Sequence, residues 1–77
     1  MDSTYEDRSR EFLAQLADVL EVASIAPDAD YRETPLWGSL TAFALKVMIS
    51  QRFGREVPLR DLAGFATAGA LMERVLG

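Results

Sequence analysis

The chain has 77 residues with no cysteine and no histidine, which excludes disulfide bonds, a thiol nucleophile and an imidazole base. Its formal net charge of -4 argues against a nucleic-acid partner, because such partners require a basic surface. Hydrophobic residues make up 49% of the chain, enough for one small core, so we expect a monomeric, all-α bundle and not an independent enzyme.

The charge is distributed unevenly. Residues 1–38 contain nine acidic residues and three arginines, whereas residues 39–77 contain three acidic and five basic residues. The longest apolar run, residues 40–49, includes Lys46 and is too short to span a membrane. Acidic residues such as Asp2, Glu6 and Asp7 stand where a signal peptide would be basic, so we expect a soluble cytoplasmic protein.

The first predicted element is a helix over residues 4–22. Ser3 and Thr4 can cap it, and acidic residues follow in its first turn. Apolar residues then recur at helical spacing: Phe12, Leu13, Leu16, Val19, Leu20 and Ala23. This pattern predicts a helix that packs one face on the core.

Residues 26–38 are predicted to form a long loop, because prolines, aspartates and a glycine interrupt them. Four apolar residues in this loop or just before it should anchor it to the core: Ile25, Tyr31, Leu36 and Trp37. We interpret Trp37 as such an anchor in preference to a ligand contact. Asp28 and Asp30 are interpreted as turn residues in preference to calcium ligands, since no further ligands accompany them. No metal site is predicted.

The second helix is predicted over residues 39–53, with Gly54 ending it. It has two apolar sides. The side expected to face the core comprises Ala42, Leu45, Met48, Ile49 and Phe53. The opposite side, which we call the apolar stripe, comprises Leu40, Phe43, Ala44 and Val47. So small a domain can hardly cover a helix on all sides, so we expect the stripe to be available to a partner.

Two further helices are predicted, and no strand. A short helix over residues 59–63 follows Pro58, and Thr67 can cap a last helix that bears Ala68 and Leu71. The complete arrangement is three main helices plus one short helix. The predicted core consists of Phe12, Leu16, Leu20, Leu45, Ile49, Phe53, Phe65 and Leu71.

Ser39 is the candidate functional residue, because it lies at the start of the second helix. Free backbone N–H groups and the positive end of the helix dipole would stabilise a phosphate ester on its hydroxyl. The alternative is an unmodified helix-capping serine. The cations Lys46, Arg52 and Arg55 are interpreted as solvated charges in preference to a phosphate clamp.

The order and spacing of these features resemble the acyl carrier protein and peptidyl carrier protein family. The family's attachment motif, Asp-Ser-Leu, is similar to Trp37-Gly38-Ser39-Leu40, and its Phe-Gly step is matched by Phe53-Gly54, thirteen residues after the leucine. Val57-Pro58 resembles the aliphatic-proline exit that follows. The segments 59–62 and 65–71 resemble the start of the family's last two helices.

The resemblance implies a small carrier bundle over residues 1–77 that is one domain and not itself an enzyme. Because the chain begins with a helix cap and ends one residue after its last apolar position, we expect a free-standing carrier. Ser39 would receive 4'-phosphopantetheine from coenzyme A through a phosphopantetheinyl transferase. The arm would hold an acyl or aminoacyl group as a thioester and present it to a loading enzyme and downstream transferases. The implied pathway makes fatty-acid, polyketide or peptide-type products.

Two departures from the family pattern affect recognition by partners. Gly38 replaces the aspartate before the serine, which removes a carboxylate that helps the transferase to recognise the site. The acidic positions of the family's second helix are also replaced, by Thr41, Ala44, Ser50 and Gln51. Arg52 and Arg55 add the opposite charge, so the resemblance implies specialised partner enzymes.

Two other functions are compatible with the residues. One is an unmodified helical interaction module that docks through the apolar stripe. The other is a small inhibitory or docking subunit that uses the acidic first helix as its contact surface. Intact mass after co-expression with a transferase distinguishes a modified carrier from both.

Overall fold

The computed structural model describes residues 3–77; Met1, Asp2 and the side chain of Ser3, with its predicted cap, lie outside the described part. The elements are α1 (Ser3–Leu20), a 3₁₀ helix (Tyr31–Glu33), α2 (Ser39–Phe53), α3 (Leu59–Leu62) and α4 (Ala68–Leu76). No strand occurs within residues 3–77. The predicted all-α bundle of three main helices and one short helix is thereby confirmed. No described helix is both long and apolar enough to cross a membrane.

Helix α1 ends two residues earlier than the sequence pattern predicts. Glu21 follows it with φ of 57°, in the left-handed region that ends a helix. The N–H of Val22 then donates to the carbonyl of Ala17 at 3.0 Å. This turn directs Val22 back onto the core instead of extending the helix.

The core is built from all four α-helices, the long loop and the connection between α2 and α3. Its buried members are Phe12, Leu16, Leu20, Tyr31, Leu45, Met48, Ile49, Val57, Leu62, Ala68, Leu71 and Val75. Six of the eight predicted core residues are among them. Phe53 and Phe65 are only partly buried and pack against the core from its edge, Phe53 edge-on to Phe12 with ring centroids 5.4 Å apart.

Helix α2 buries one side and exposes the other. Leu45, Met48 and Ile49 are buried, whereas Leu40 is 87% exposed and Phe43 is 56% exposed. Three residues of the predicted apolar stripe, Leu40, Phe43 and Ala44, are therefore on the surface, and Val47 is partly buried. The helix ends at Gly54, whose φ of 67° suits glycine and whose N–H donates to the carbonyl of Ser50.

Helix α4 begins in close contact with the long loop. Thr67 caps it by accepting a hydrogen bond from the N–H of Ala70, as predicted. The N–H of Gly69 donates to the carbonyl of Pro27 at 2.6 Å. A Cβ at Gly69 would lie 3.0 Å from that carbonyl oxygen, so glycine permits the approach. The loop is thus fixed between α4 and the start of α2.

Candidate functional site at the start of α2

Ser39 is the first residue of α2, and it is exposed. The first helical hydrogen bond runs from the N–H of Ala42 to the carbonyl of Gly38 at 2.8 Å. The backbone N–H groups of residues 39–41 precede this bond and have no partner within the helix. The hydroxyl of Ser39 therefore lies beside unpaired backbone donors.

The electrostatic surroundings of Ser39 favour a negative group. Helix α2 has no acidic residue in its first turn, and none along residues 39–53. The dipole of a helix stabilises a negative charge at its N-terminus by about 0.3–1 kcal/mol. A phosphate ester on Ser39 would therefore meet an attractive field without competition from a neighbouring carboxylate on the same helix.

Gly38 occupies the N-cap position without a capping side chain. Its backbone is extended, with φ of 172° and ψ of -173°, a conformation that any residue can adopt. A Cβ built at this position has no neighbour within 4 Å. The fold therefore does not require a glycine at this position.

The loop that leads into Ser39 is held in place by its aromatic residues. Trp37 packs edge-on against buried Tyr31, with ring centroids 5.3 Å apart. The hydroxyl of Thr41 donates to the carbonyl of Leu36 at 2.5 Å, which ties the first turn of α2 to the loop. Trp37 is thus an anchor, as predicted.

Two consecutive side chains of the 3₁₀ helix bind the end of α3. The Tyr31 hydroxyl donates to the carbonyl of Leu62, and burial raises the pKa of Tyr31 to about 12. The guanidinium of Arg32 donates to the carbonyl of Ala63 at 2.8 Å. We call these two contacts the loop–α3 clamp. They fix α3 relative to the loop that carries Trp37.

Asp30 orients the arginine of the loop–α3 clamp. Its carboxylate accepts hydrogen bonds from the backbone N–H and the side chain of Arg32, and the side-chain bond is the main cause that lowers the pKa of Asp30. Asp30 is thus a turn residue, as interpreted from the sequence. No group of three or more potential metal ligands occurs among residues 3–77.

Ser39 opens onto a groove of about 420 Å³ between the start of α2 and α3. Its lining consists of Trp37, Gly38, Ser39, Ala42, Leu59, Arg60 and Ala63. Its walls are mainly apolar, and Arg60 is the charged member of the lining. Arg60 has no local sequence signature as a site residue, since only the folding of α3 against α2 brings it into the groove of Ser39.

The cations considered from the sequence are mostly engaged elsewhere. Lys46 pairs with Glu56 at 3.3 Å, and Ser50 also donates to that carboxylate. The pKa of Glu56 is lowered first by Ser50 and then by Lys46. The side chain of Arg55 donates to the carbonyl of Val75 at 2.8 Å. Lys46 and Arg55 are therefore structural and not simply solvated.

Comparison with known proteins agrees with this geometry. The chain matches the family described as "Phosphopantetheine attachment site" over residues 10–75, a span that includes Ser39 and all of α2. No curated protein and no solved structure matches it. The chain belongs to the phosphopantetheine-attachment family, whose members are non-catalytic carriers of a covalent 4'-phosphopantetheine arm.

Proposed function

We propose that Ser39 is the attachment residue and that residues 1–77 form one carrier domain. The observation that carries the proposal is the position of the Ser39 hydroxyl, exposed at the N-terminus of α2 beside unpaired backbone N–H groups. The family match and the Ser39-Leu40 motif support the same residue.

The residues around Ser39 fit the phosphodiester of the arm. The first turn offers hydrogen-bond donors, α2 bears no acidic residue, and the groove has room along apolar walls. When bound, the arm supplies a terminal thiol that carries an acyl or aminoacyl group as a thioester. Coenzyme A is the donor of the arm. We propose that the modification takes place in the cytoplasm.

The partners we propose are a phosphopantetheinyl transferase, a loading enzyme and downstream transferases of a fatty-acid, polyketide or peptide-type pathway. Helix α2 has no carboxylate to offer to a basic enzyme surface, whereas Leu40 and Phe43 are largely exposed. We therefore propose specialised partners that bind an apolar surface beside Ser39.

Intact mass after incubation with coenzyme A and a broad-specificity transferase tests the attachment site. We expect the wild type to gain one phosphopantetheinyl group and Ser39→Ala to gain none, because only Ser39 offers its hydroxyl at the start of α2. Ser24→Ala, which changes an exposed loop serine, is the matched control and should be modified normally. An unmodified wild type with several transferases, or a modified Ser39→Ala, would contradict the proposal.

A second candidate function is an unmodified interaction module that docks through the apolar stripe. The exposure of Leu40 and Phe43 favours it, because large exposed apolar side chains on one helix face often mark a binding surface. The same mass measurement separates the two functions. A chain that stays unmodified but binds its partner through the stripe would support the module.

A further inference from the structure

Arg60 is an unpaired cation in the groove beside Ser39. It is exposed, and its side chain makes no hydrogen bond or ion pair with the residues that the structure describes. A guanidinium is permanently charged, and its N–H groups match the oxygens of a phosphate. A ligand with that chemistry would therefore find a ready partner here.

The position of Arg60 is set by the loop–α3 clamp. Helix α3 has four residues, and Tyr31 and Arg32 bind the carbonyl groups at its C-terminal end. Tyr31 also packs against Trp37, which lies two residues before Ser39. The same side chains thus position both Arg60 and Ser39 around one groove.

No other described cation lines the groove of Ser39. Lys46 pairs with Glu56, Arg55 binds the carbonyl of Val75, and Arg32 is held by Asp30. Arg52 lies in the last turn of α2, about 20 Å along the helix from Ser39 at 1.5 Å per residue. Arg60 is the cation that lines the groove of Ser39.

We propose that Arg60 binds the phosphodiester of the arm on Ser39 and holds the base of the arm against the groove. The proposal rests on the proposed attachment at Ser39. Gly38 contributes to it, because an aspartate at this position would place a carboxylate in the lining of the groove. The arm of this carrier is thus restrained by the domain at its base, and only its distal part moves freely.

Nuclear magnetic resonance of the modified full-length chain tests the contact directly. The carrier is first modified with coenzyme A, and intact mass confirms one added group. The two probes are the ³¹P resonance of the phosphodiester and the Nε–H resonances of the arginine side chains. We expect the Arg60 Nε–H resonance to shift on modification, and the shift to shrink as added salt screens the contact.

Substitutions assign the contact to Arg60. We expect Arg60→Gln to shift the ³¹P resonance relative to wild type, and Arg60→Lys to shift it less because the charge remains. Arg74→Gln is the matched control: Arg74 is also exposed and unpaired but does not line the groove of Ser39. It should leave the ³¹P resonance unchanged.

The outcomes separate this inference from the function on which it rests. A chain that gains no mass defeats the attachment at Ser39. A second result is a modified chain in which Arg60→Gln leaves the ³¹P resonance unchanged and modification leaves the Arg60 Nε–H resonance unchanged. That result would contradict only the contact between Arg60 and the phosphodiester. If Arg60→Gln instead raises only the KM of the transferase for the carrier, Arg60 binds the transferase and our proposal is wrong.

Discussion

Gly38 stands where the resemblance of the sequence leads us to expect an aspartate. It leaves the first turn of α2 without a side-chain acceptor, although its extended backbone and open surroundings would accept a larger residue. A glycine N-cap costs only a few tenths of a kcal/mol relative to a capping residue. An aspartate can therefore be introduced at position 38 without disturbing the fold.

We predict that Gly38→Asp stabilises the domain and speeds its modification. The new carboxylate can accept a hydrogen bond from the first turn and interact with the helix dipole, which together should raise the free energy of unfolding by about 0.5–1 kcal/mol. It also supplies the carboxylate that the resemblance leads us to expect before the serine. Chemical denaturation measures the first effect, and a time course of intact mass with the transferase measures the second.

Gly38→Asn is the matched control, because asparagine caps the helix without a charge. This variant should show most of the stability gained by Gly38→Asp but should be modified at the wild-type rate. If the wild type and both variants were modified equally fast, the carboxylate would have no part in recognition by the transferase.

At the scale of elements, α2 has separate roles for its two sides. Leu45 and Ile49 are fully buried. The apolar stripe opposite them starts next to Ser39 and is exposed except at Val47, which is partly buried. Burying a valine or leucine side chain contributes about 1.5–3 kcal/mol, whereas an exposed ion pair contributes about 0–1 kcal/mol. An apolar stripe should therefore dominate the binding of partner enzymes.

We predict that binding to the cognate loading enzyme depends weakly on ionic strength and is strongly weakened by Val47→Asp. The substitution places a charge in the apolar contact, which costs more than the loss of an exposed ion pair. The measurement is affinity across a salt series for wild type and variant, with circular dichroism to check the fold.

Two further variants make the stripe prediction specific. Phe43→Ser removes a largely exposed apolar side chain and should also weaken binding. Ala14→Asp adds the same charge at an exposed position of α1 and should bind like the wild type. A steep salt dependence with an unaffected Val47→Asp would instead assign the contact to basic residues such as Arg52.

On the scale of the whole molecule, the loop–α3 clamp connects parts of the chain that are 31 residues apart. The clamp satisfies the carbonyl groups at the end of α3 and positions one wall of the groove. Tyr31 of the clamp is fully buried, so a substitution of this residue affects both the packing of the core and the site.

We predict that Tyr31→Phe lowers the free energy of unfolding by about 1–3 kcal/mol, because the buried carbonyl of Leu62 loses its donor. The raised pKa of Tyr31 also makes the free energy of unfolding depend on pH. The stability contributed by the neutral Tyr31 hydroxyl is fully present below pH 10.0, its ordinary pKa, and is lost as the pH rises towards about 12. Urea denaturation at neutral and alkaline pH measures both effects.

Thr34→Val provides the control for the clamp. It removes a hydrogen bond of 2.7 Å to the carbonyl of Tyr31 within the loop and leaves the contact with α3 intact. It should destabilise the domain less and keep the alkaline loss of stability that Tyr31→Phe removes. If Thr34→Val and Tyr31→Phe lowered the free energy of unfolding equally, the hydrogen bond to α3 would contribute no more stability than the one within the loop.

The sequence by itself determined what depends on neighbouring residues. Helical periodicity, the cap at Thr67 and the stop at Gly54 predicted α2 and α4, and the apolar stripe followed from the spacing along α2. The motif around Ser39 predicted the family that the comparison then showed. These features can be predicted from the sequence because each depends on residues that are close together in the chain.

Only the tertiary structure decided how distant segments meet. Three features have no signature in local periodicity. They are the left-handed conformation of Glu21 after α1, the hydrogen bond from Tyr31 to Leu62, and the position of Arg60 in the groove of Ser39. Each depends on where the loop and α3 come to rest once the core has formed. The physical reason is that hydrogen bonds and grooves between remote segments are set by packing geometry, which local sequence patterns do not encode.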